Sequence, residues 1–324
     1  MSDFSHLHTF LKERLSAYHV EKEPANLYEP MRYMLSLGGK RLRPLLTLIG
    51  SNLFNGKPEE ALPAAMTVEL FHNFSLVHDD IMDKAPLRRG QATVHKKWNS
   101  NIAILSGDGI LVKAYEELAK SDPGQLPALL RLFNTTAIEV CEGQQLDMDF
   151  EIREQVSIQE YIHMITLKTA VLLGCSLEMG AITAGAPDKD GRNLYEFGKH
   201  TGIAFQLKDD ILDVYGDAEK FGKQVGGDIL SNKKTFLLLH TLEKADNKQK
   251  EELLSWVGKK EFDPAEKISA VRKIYDQLEI RKAAEIELSL HYTKGLAHLD
   301  LISAEADKKQ KLRHFTDELM KRER

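Results

Sequence analysis

Cysteine is nearly missing: Cys141 and Cys175 are the only two in 324 residues. Their spacing suits neither a disulfide framework nor a metal-ligand motif, and the simple expectation is a reducing, cytoplasmic compartment. An excess of positive charge is lacking too. The formal balance is −5, so bulk electrostatics argue for no nucleic-acid partner. The start, Met1-Ser2-Asp3-Phe4-Ser5-His6, has no basic stretch followed by an apolar run, as a secretory signal needs. No stretch reads as the ~20 apolar residues of a membrane span. Strand-type alternation is nearly absent, and no low-complexity segment or linker interrupts the chain.

What is present is 42% hydrophobic and 29% charged, the ordinary balance of a globular protein with a sizeable core. Apolar residues recur at three- and four-residue steps around 60–83, 100–120, 126–147, 157–184, 192–214 and 263–295, which predicts helices. Breaks fall at Asn55-Gly56-Lys57-Pro58, Ser121-Asp122-Pro123-Gly124, Gly185-Ala186-Pro187-Asp188 and Gly226-Gly227-Asp228. The expectation is one domain over 1–324, closed by a charged amphipathic helix from Ala304 to Arg324 acting as a solvated cap.

Two copies of Asp-Asp-x-x-Asp stand out, Asp79-Asp80-Ile81-Met82-Asp83 and Asp209-Asp210-Ile211-Leu212-Asp213. Residues four apart on a helix share a face, so Asp79 stacks with Asp83 and Asp209 with Asp213. A solvated acidic face is the bland alternative for either copy alone. The flanks oppose it: Phe71, Phe74, Leu76, Val77 and Ile81 surround the first set, and Phe205, Leu207, Ile211 and Val214 the second. Carboxylates in apolar helices are usually paired or bound to metal. Mg²⁺ takes oxygen ligands and binds one or two carboxylates plus substrate phosphates, so two such faces would grip a diphosphate.

Basic segments suggest a second anionic group. Gly38-Gly39-Lys40-Arg41-Leu42-Arg43-Pro44 joins permissive backbone to three cations, although a glycine helix cap followed by a basic turn looks alike. Arg88-Arg89-Gly90 follows Pro86, which is expected to end the first acidic helix; adjacent like charges favour an intervening anion. Lys168-Thr169 lies mid-helix among apolar residues, where a lysine can also simply snorkel. Lys223, Lys233 and Lys234 follow the second set. His72 lies seven residues before Asp79 on the same face; a satisfied core histidine and a phosphate donor are both open readings.

Taken together these residues resemble the polyprenyl (isoprenyl) diphosphate synthase family of trans-prenyltransferases. The landmarks run in order from Leu27 to Phe236: the Gly-Gly-Lys-Arg-Leu-Arg-Pro segment, His72, the first aspartate set, Leu87-Arg88-Arg89-Gly90, Gly143-Gln144, Lys168-Thr169, Phe205-Gln206 with the second set, Lys223 and Lys233. The resemblance implies an all-α isoprenoid synthase bundle around a deep central cavity, usually homodimeric. It implies that Gly39, Lys40, Arg43, His72 and Arg89 bind isopentenyl diphosphate, and that Arg88, Lys168, Thr169, Gln206, Lys223 and Lys233 bind an allylic diphosphate. It further implies three Mg²⁺ ions on Asp79, Asp83 and Asp209, with Asp213 close by and Asp80 and Asp210 in support. Mg²⁺-assisted loss of the allylic diphosphate and attack by the isopentenyl double bond would follow, in a cavity closed to water. Whether Lys233 or Lys234 meets substrate stays open.

Product length is expected to depend on bulk before the first set, at Phe71, Phe74 and Ser75. An aromatic at Phe74 followed by small Ser75 resembles geranylgeranyl synthases, pointing to fifteen to twenty carbons with twenty favoured. Ideal geometry, at about 100° per residue, puts Ser75 nearer the Asp79 face than Phe74. Rival readings are a longer-chain synthase, a terpene cyclase, and a non-catalytic subunit of a heteromeric synthase. The intact second aspartate set disfavours the last two.

Overall fold

In the computed structural model, residues 4–216 and 225–321 are described; Lys223 lies outside them. Helices dominate, joined by short loops, with one two-residue-per-strand hairpin among the described residues. By internal contacts the chain forms two compact units that alternate along the sequence. The first comprises Met1–Ile138, Leu172–Glu196 and Leu301–Leu312; the second comprises Glu139–Val171, Phe197–Asp300 and Arg313–Arg324.

The first unit contains α1 (Ser5–Ser16), α2 (Ala25–Ser36), α3 (Leu42–Leu53), α4 (Pro58–Met82), the hairpin β1 (Leu87–Arg88) and β2 (Gln91–Ala92), α5 (Val94–Lys97) and α6 (Ser100–Leu118). Proline at the first position starts α4, where its missing N–H costs nothing. The Asn99 side chain caps α6 by accepting from the Ile102 N–H at 2.9 Å. Small residues Ala61, Ala64, Ala65 and Val68 bury one face of α4, and Ala103, Ile110 and Ala114 that of α6. The Thr67 hydroxyl donates to the Ala114 carbonyl at 3.2 Å between them. Each fully buried Leu, Ile or Phe here contributes roughly 1.5–3 kcal/mol of transfer free energy.

α7 (Leu126–Ile152), α8 (Ile158–Ile165), a π-helical turn (Thr166–Ala170), α9 (Val171–Thr183) and α10 (Asp188–Tyr215) follow. Ser157 and Glu160 form a reciprocal capping box at the start of α8. From Ile158 to Thr183 the helix is continuous, and it is long and apolar enough to cross a membrane by length and composition. That differs from the sequence expectation, because polar residues such as Thr166, Lys168 and Thr169 break the apolar run without lowering its mean hydropathy below 1.4. Its most apolar window is 72% buried, as in a core helix.

Beyond α10 come α11 (Gly227–Leu230), α12 (Phe236–Lys244), α13 (Asn247–Gly258), α14 (Pro264–Gln277), α15 (Ile280–Asp300) and α16 (Ala306–Lys321). The expected single periodic segment over 263–295 is two helices, broken at Glu279, whose φ of 53° lies in the left-handed region. The second unit's core gathers Tyr161, Leu207, Ile211, Val214, Leu237, Leu253, Ile274 and Ile280. The terminal helix is more than a solvated cap: Leu312, Phe315 and Leu319 are buried.

Candidate active site

The last turn of α4 carries Asp79 and Asp80. Asp83 follows as its C-cap, with its N–H bonded to the Asp79 carbonyl at 2.9 Å. The helix stops at Met82, before Pro86, because Lys84 takes a left-handed φ of 52°. The hairpin then turns Arg88 back onto the acidic end. Its Nε and Nη2 donate to Asp80 Oδ1 at 2.9 and 2.5 Å, and Nη2 reaches Asp79 Oδ2 at 3.3 Å. Asp80 is buried, and that burial pushes its carboxyl above the usual range against the pull of Arg88. Its Oδ2 is buried with no hydrogen-bond partner. Asp79 is half-buried and Asp83 exposed, so the face offers carboxylate oxygens alone. Such hard donors fit Mg²⁺, not a thiolate- or imidazole-seeking ion.

A basic cluster stands on the same unit. Gly38 and Gly39 have φ of 77° and 120°. Arg89 packs directly on Gly39, where a Cβ would lie 2.6 Å from its guanidinium carbon, and it donates to the Gly38 carbonyl. Arg41 donates to the Leu35 carbonyl at 2.6 Å and pairs with buried Glu69, which also accepts from Asn73 at 2.8 Å. Arg43 Nη1 lies 3.2 Å from His72 Nε2. Burial, then the positive fields of Arg43, Arg89, Arg88 and Arg41, hold His72 far below an ordinary imidazole, so it is neutral and Nε2 accepts from Arg43. Burial, only partly offset by Glu69, brings Arg43 down to about 10. Lys40 is exposed on this loop. Three arginines thus share one buried carboxylate, a surplus suited to an anion.

Of the chain-length candidates, Phe71 is fully buried, edge-on to Phe133 with ring centroids 5.4 Å apart. Phe74 is half-buried between Phe71, at 5.6 Å, and His78, at 4.8 Å. The Ser75 hydroxyl donates to the His72 carbonyl at 2.9 Å.

In the second unit, Asp209 and Asp213 are half-buried near the end of α10, and Asp210 is buried. Asp210 accepts from the Tyr161 hydroxyl and, at 3.2 Å, from Gln206. Thr169 donates to Gln206 Oε1 at 3.4 Å. Burial, then Asp228, raise Asp210 to about 7. Asp213 Oδ2 accepts the Asp228 N–H at 2.9 Å. Lys168 sits in the π turn, 2.6 Å from Asp147 Oδ2, and Lys233 Nζ is 3.9 Å from the same oxygen. Lys234 Nζ instead donates to the Phe150 carbonyl. Glycines admit this crossing: a Cβ on Gly143 would stand 2.2 Å from the Lys168 nitrogen, and one on Gly202 would stand 2.7 Å from Ala170 Cα. A π turn at such a spot is a common mark of function.

Sequence reasoning overlooked Glu69, Asp147, Tyr161 and Asp228. Asp147 alone left a signal, one turn after Gly143 on α7. Glu69 reads as any polar helix residue, and Asp228 reads as part of a loop.

The fold defines a class, the all-helical isoprenoid synthases. Solved structures agree in fold. One crystal structure of a geranylgeranyl pyrophosphate synthase superposes with a TM-score of 0.94 at 45% identity, covering 98% of each chain. The corresponding synthetase from Pyrococcus horikoshii gives 0.91 at 34%, with the same coverage. Among curated relatives, the geranylgeranyl diphosphate synthase of Methanosarcina mazei is 36% identical over 302 residues, 93% of this chain and 91% of its own length. The short chain isoprenyl diphosphate synthase of Methanocaldococcus jannaschii is 39% identical over 273 residues, 84% and 83% of the two chains. The sequence pattern of the polyprenyl synthetase family matches residues 24–278. The chain belongs to the polyprenyl synthetase family.

Proposed function

We propose that this chain condenses isopentenyl diphosphate with an allylic diphosphate (dimethylallyl, geranyl or farnesyl) to a product of fifteen to twenty carbons, twenty favoured. The observation that carries the reading is the surplus of arginine around a neutral His72, two turns before the carboxylates of Asp79. A second anionic substrate explains that surplus; a terpene cyclase has no use for it.

Lys40, Arg43, His72 and Arg89, with Gly39 giving room, hold the diphosphate of isopentenyl diphosphate. Arg88, Lys168, Thr169, Gln206, Lys223 and Lys233 hold the allylic diphosphate. Lys233 is preferred over Lys234, whose amine is spent on a backbone carbonyl. Asp79, Asp83 and Asp209, with Asp213 in support of Asp209, would hold three Mg²⁺ ions, which when bound would supply neutralisation of the leaving diphosphate's charge. Asp80 and Asp210 are positioning residues, anchored by Arg88 and by Tyr161 with Gln206. On binding, Arg88 exchanges Asp79 for phosphate oxygens, and Lys168 and Lys233 exchange Asp147. The allylic C–O bond breaks, the isopentenyl double bond attacks the cation, and a proton passes to the released diphosphate. Apolar walls must keep water from the cation.

The chain acts as one domain over 1–324, a reading supported by a family match that runs through both units. It pairs as a homodimer, supported by exposed Leu105 (60%) and Val112 (59%) on α6 and Ile138 (57%) on α7. The scarcity of cysteine, two in 324 residues, supports a cytoplasmic setting.

The test is incubation of the purified chain and Mg²⁺ with isopentenyl diphosphate and each allylic diphosphate, followed by sizing of dephosphorylated products. Asp79→Ala and Asp209→Ala should each lower turnover by several orders of magnitude with the circular dichroism unchanged. Failure of the wild type to elongate any primer, or near-normal turnover of either variant, overturns the proposal.

A further inference from the structure

Lys267 of α14 is wholly buried, yet among the described residues no carboxylate pairs with it. Burying an ammonium is costly, and lysines are almost never fully buried unless paired. Its place in the helix adds to the cost. Asp263 caps α14 by accepting from the Glu266 N–H at 2.9 Å, so Lys267 stands in the first turn, at the positive end of the helix. Neither its own helix nor a counter-charge accounts for this lysine.

What its amine holds is the segment that leads to Lys233. Lys267 Nζ donates to Asn232 Oδ1 at 2.7 Å and to the Leu230 carbonyl at 3.3 Å, and the centroid of the Phe262 ring lies 4.2 Å from it. Leu230 ends α11, where helix carbonyls lack partners within the helix. Asn232 has a left-handed φ of 55°, and its amide nitrogen donates to the Val257 carbonyl at 3.1 Å. Gly226, at the start of the segment, lies so close to α14 that a Cβ would stand 2.6 Å from Ile268. Lys233 is the residue after Asn232, and its N–H donates to the Asp228 carbonyl at 2.9 Å. Asp228, Asn232, Lys233 and Lys267 line one small cavity. The turn that presents Lys233 is wound around the buried ammonium.

We propose that Lys267 is a positioning residue for the allylic diphosphate, acting through Lys233, a reading that rests on the role given to Lys233 above. The Lys233 side chain is 46% exposed, so little besides its backbone fixes where it points. A cation held ready before the substrate arrives binds it more tightly than one that must first be ordered. An apolar side chain at position 267 would leave the Leu230 carbonyl and the Asn232 oxygen without this donor, and the turn would loosen.

Steady-state kinetics of the full chain, with each substrate varied in turn, test this. Lys267→Met keeps the length of the side chain and removes its charge. The KM for the allylic diphosphate should rise by about tenfold, the size of one lost charge-assisted contact, while the KM for isopentenyl diphosphate stays within about twofold. Lys233→Met should raise the allylic KM at least as far, and the double variant should be no worse than Lys233→Met alone. Asn232→Gly tolerates the left-handed backbone and removes the side-chain acceptor of Lys267; it should raise the allylic KM by about threefold, and it stands in should Lys267→Met fail to fold. An allylic KM unchanged in Lys267→Met and Asn232→Gly, equal rises in both KM values, or effects that add in the double variant overturn the proposal while leaving the role of Lys233 in place. An allylic KM unchanged in Lys233→Met overturns that role and the proposal together.

Discussion

Replacing Glu69 by Gln removes the one buried carboxylate among Arg41, Arg43 and Arg89 and changes almost nothing in shape. Glu69 is 2% exposed and pairs with Arg41, whose side chain is 15% exposed, so the contact is little screened. At an effective dielectric near 20, charges about 4 Å apart interact by about 4 kcal/mol, and breaking a buried pair by removing one partner costs about 3–5 kcal/mol. The Asn73 hydrogen bond survives, because Gln keeps an acceptor oxygen. Unfolding entropy for 324 residues is roughly 0.7 kcal/mol/K, so a 4 kcal/mol loss lowers Tm by about 6 °C. Inorganic diphosphate should restore more of the variant's Tm than it adds to the wild type, because the uncompensated arginines gain most from an anion. Differential scanning calorimetry with and without diphosphate reads both effects. A Tm drop below about 2 °C, or equal diphosphate shifts in the two proteins, refutes the reasoning.

Phe74→Ala is expected to lengthen the product, since truncation opens apolar volume for a longer tail; chromatography of dephosphorylated products checks this. Gly143→Ala should cost about 1–3 kcal/mol by urea unfolding and depress turnover, because its methyl group must displace the backbone at Lys168. Burial, opposed by Arg192, raises Glu178 to about 7, from an unfolded value near 4.5. The folded state therefore binds the extra proton, and stability falls as pH rises from about 4.5 to 7. Glu178→Gln should accordingly stabilise the protein by about 2–3 kcal/mol at pH 8 and by little at pH 4.5, as read by thermal unfolding across pH.

The helices and both aspartate sets were legible because four-residue spacing among apolar neighbours is a local property. The pairing of Arg88 with Asp80 was not, because it depends on a six-residue hairpin that sends the chain back. Asp147 and Glu69 escaped for a similar reason: a lone carboxylate on a helix announces nothing until distant lysines or arginines close on it. The π turn at Lys168, which packs on Gly143, also leaves no trace in apolar periodicity. Helix boundaries shifted where left-handed residues, Lys84 and Glu279, stopped a helix that composition would have continued.

Arg88 and Arg89 are joined by one rigid peptide plane, yet they turn to different partners. Arg88 reaches the carboxylates, while Arg89, at a φ of 54°, swings to the glycine loop. An anion that drew Arg88 away from Asp79 would tug Arg89 through a tether a few ångströms long. Under the proposed roles the hairpin would act as a short lever, and loading of one substrate would be felt at the seat of its companion. Ordered addition of the two reactants is the kinetic signature such a lever would leave.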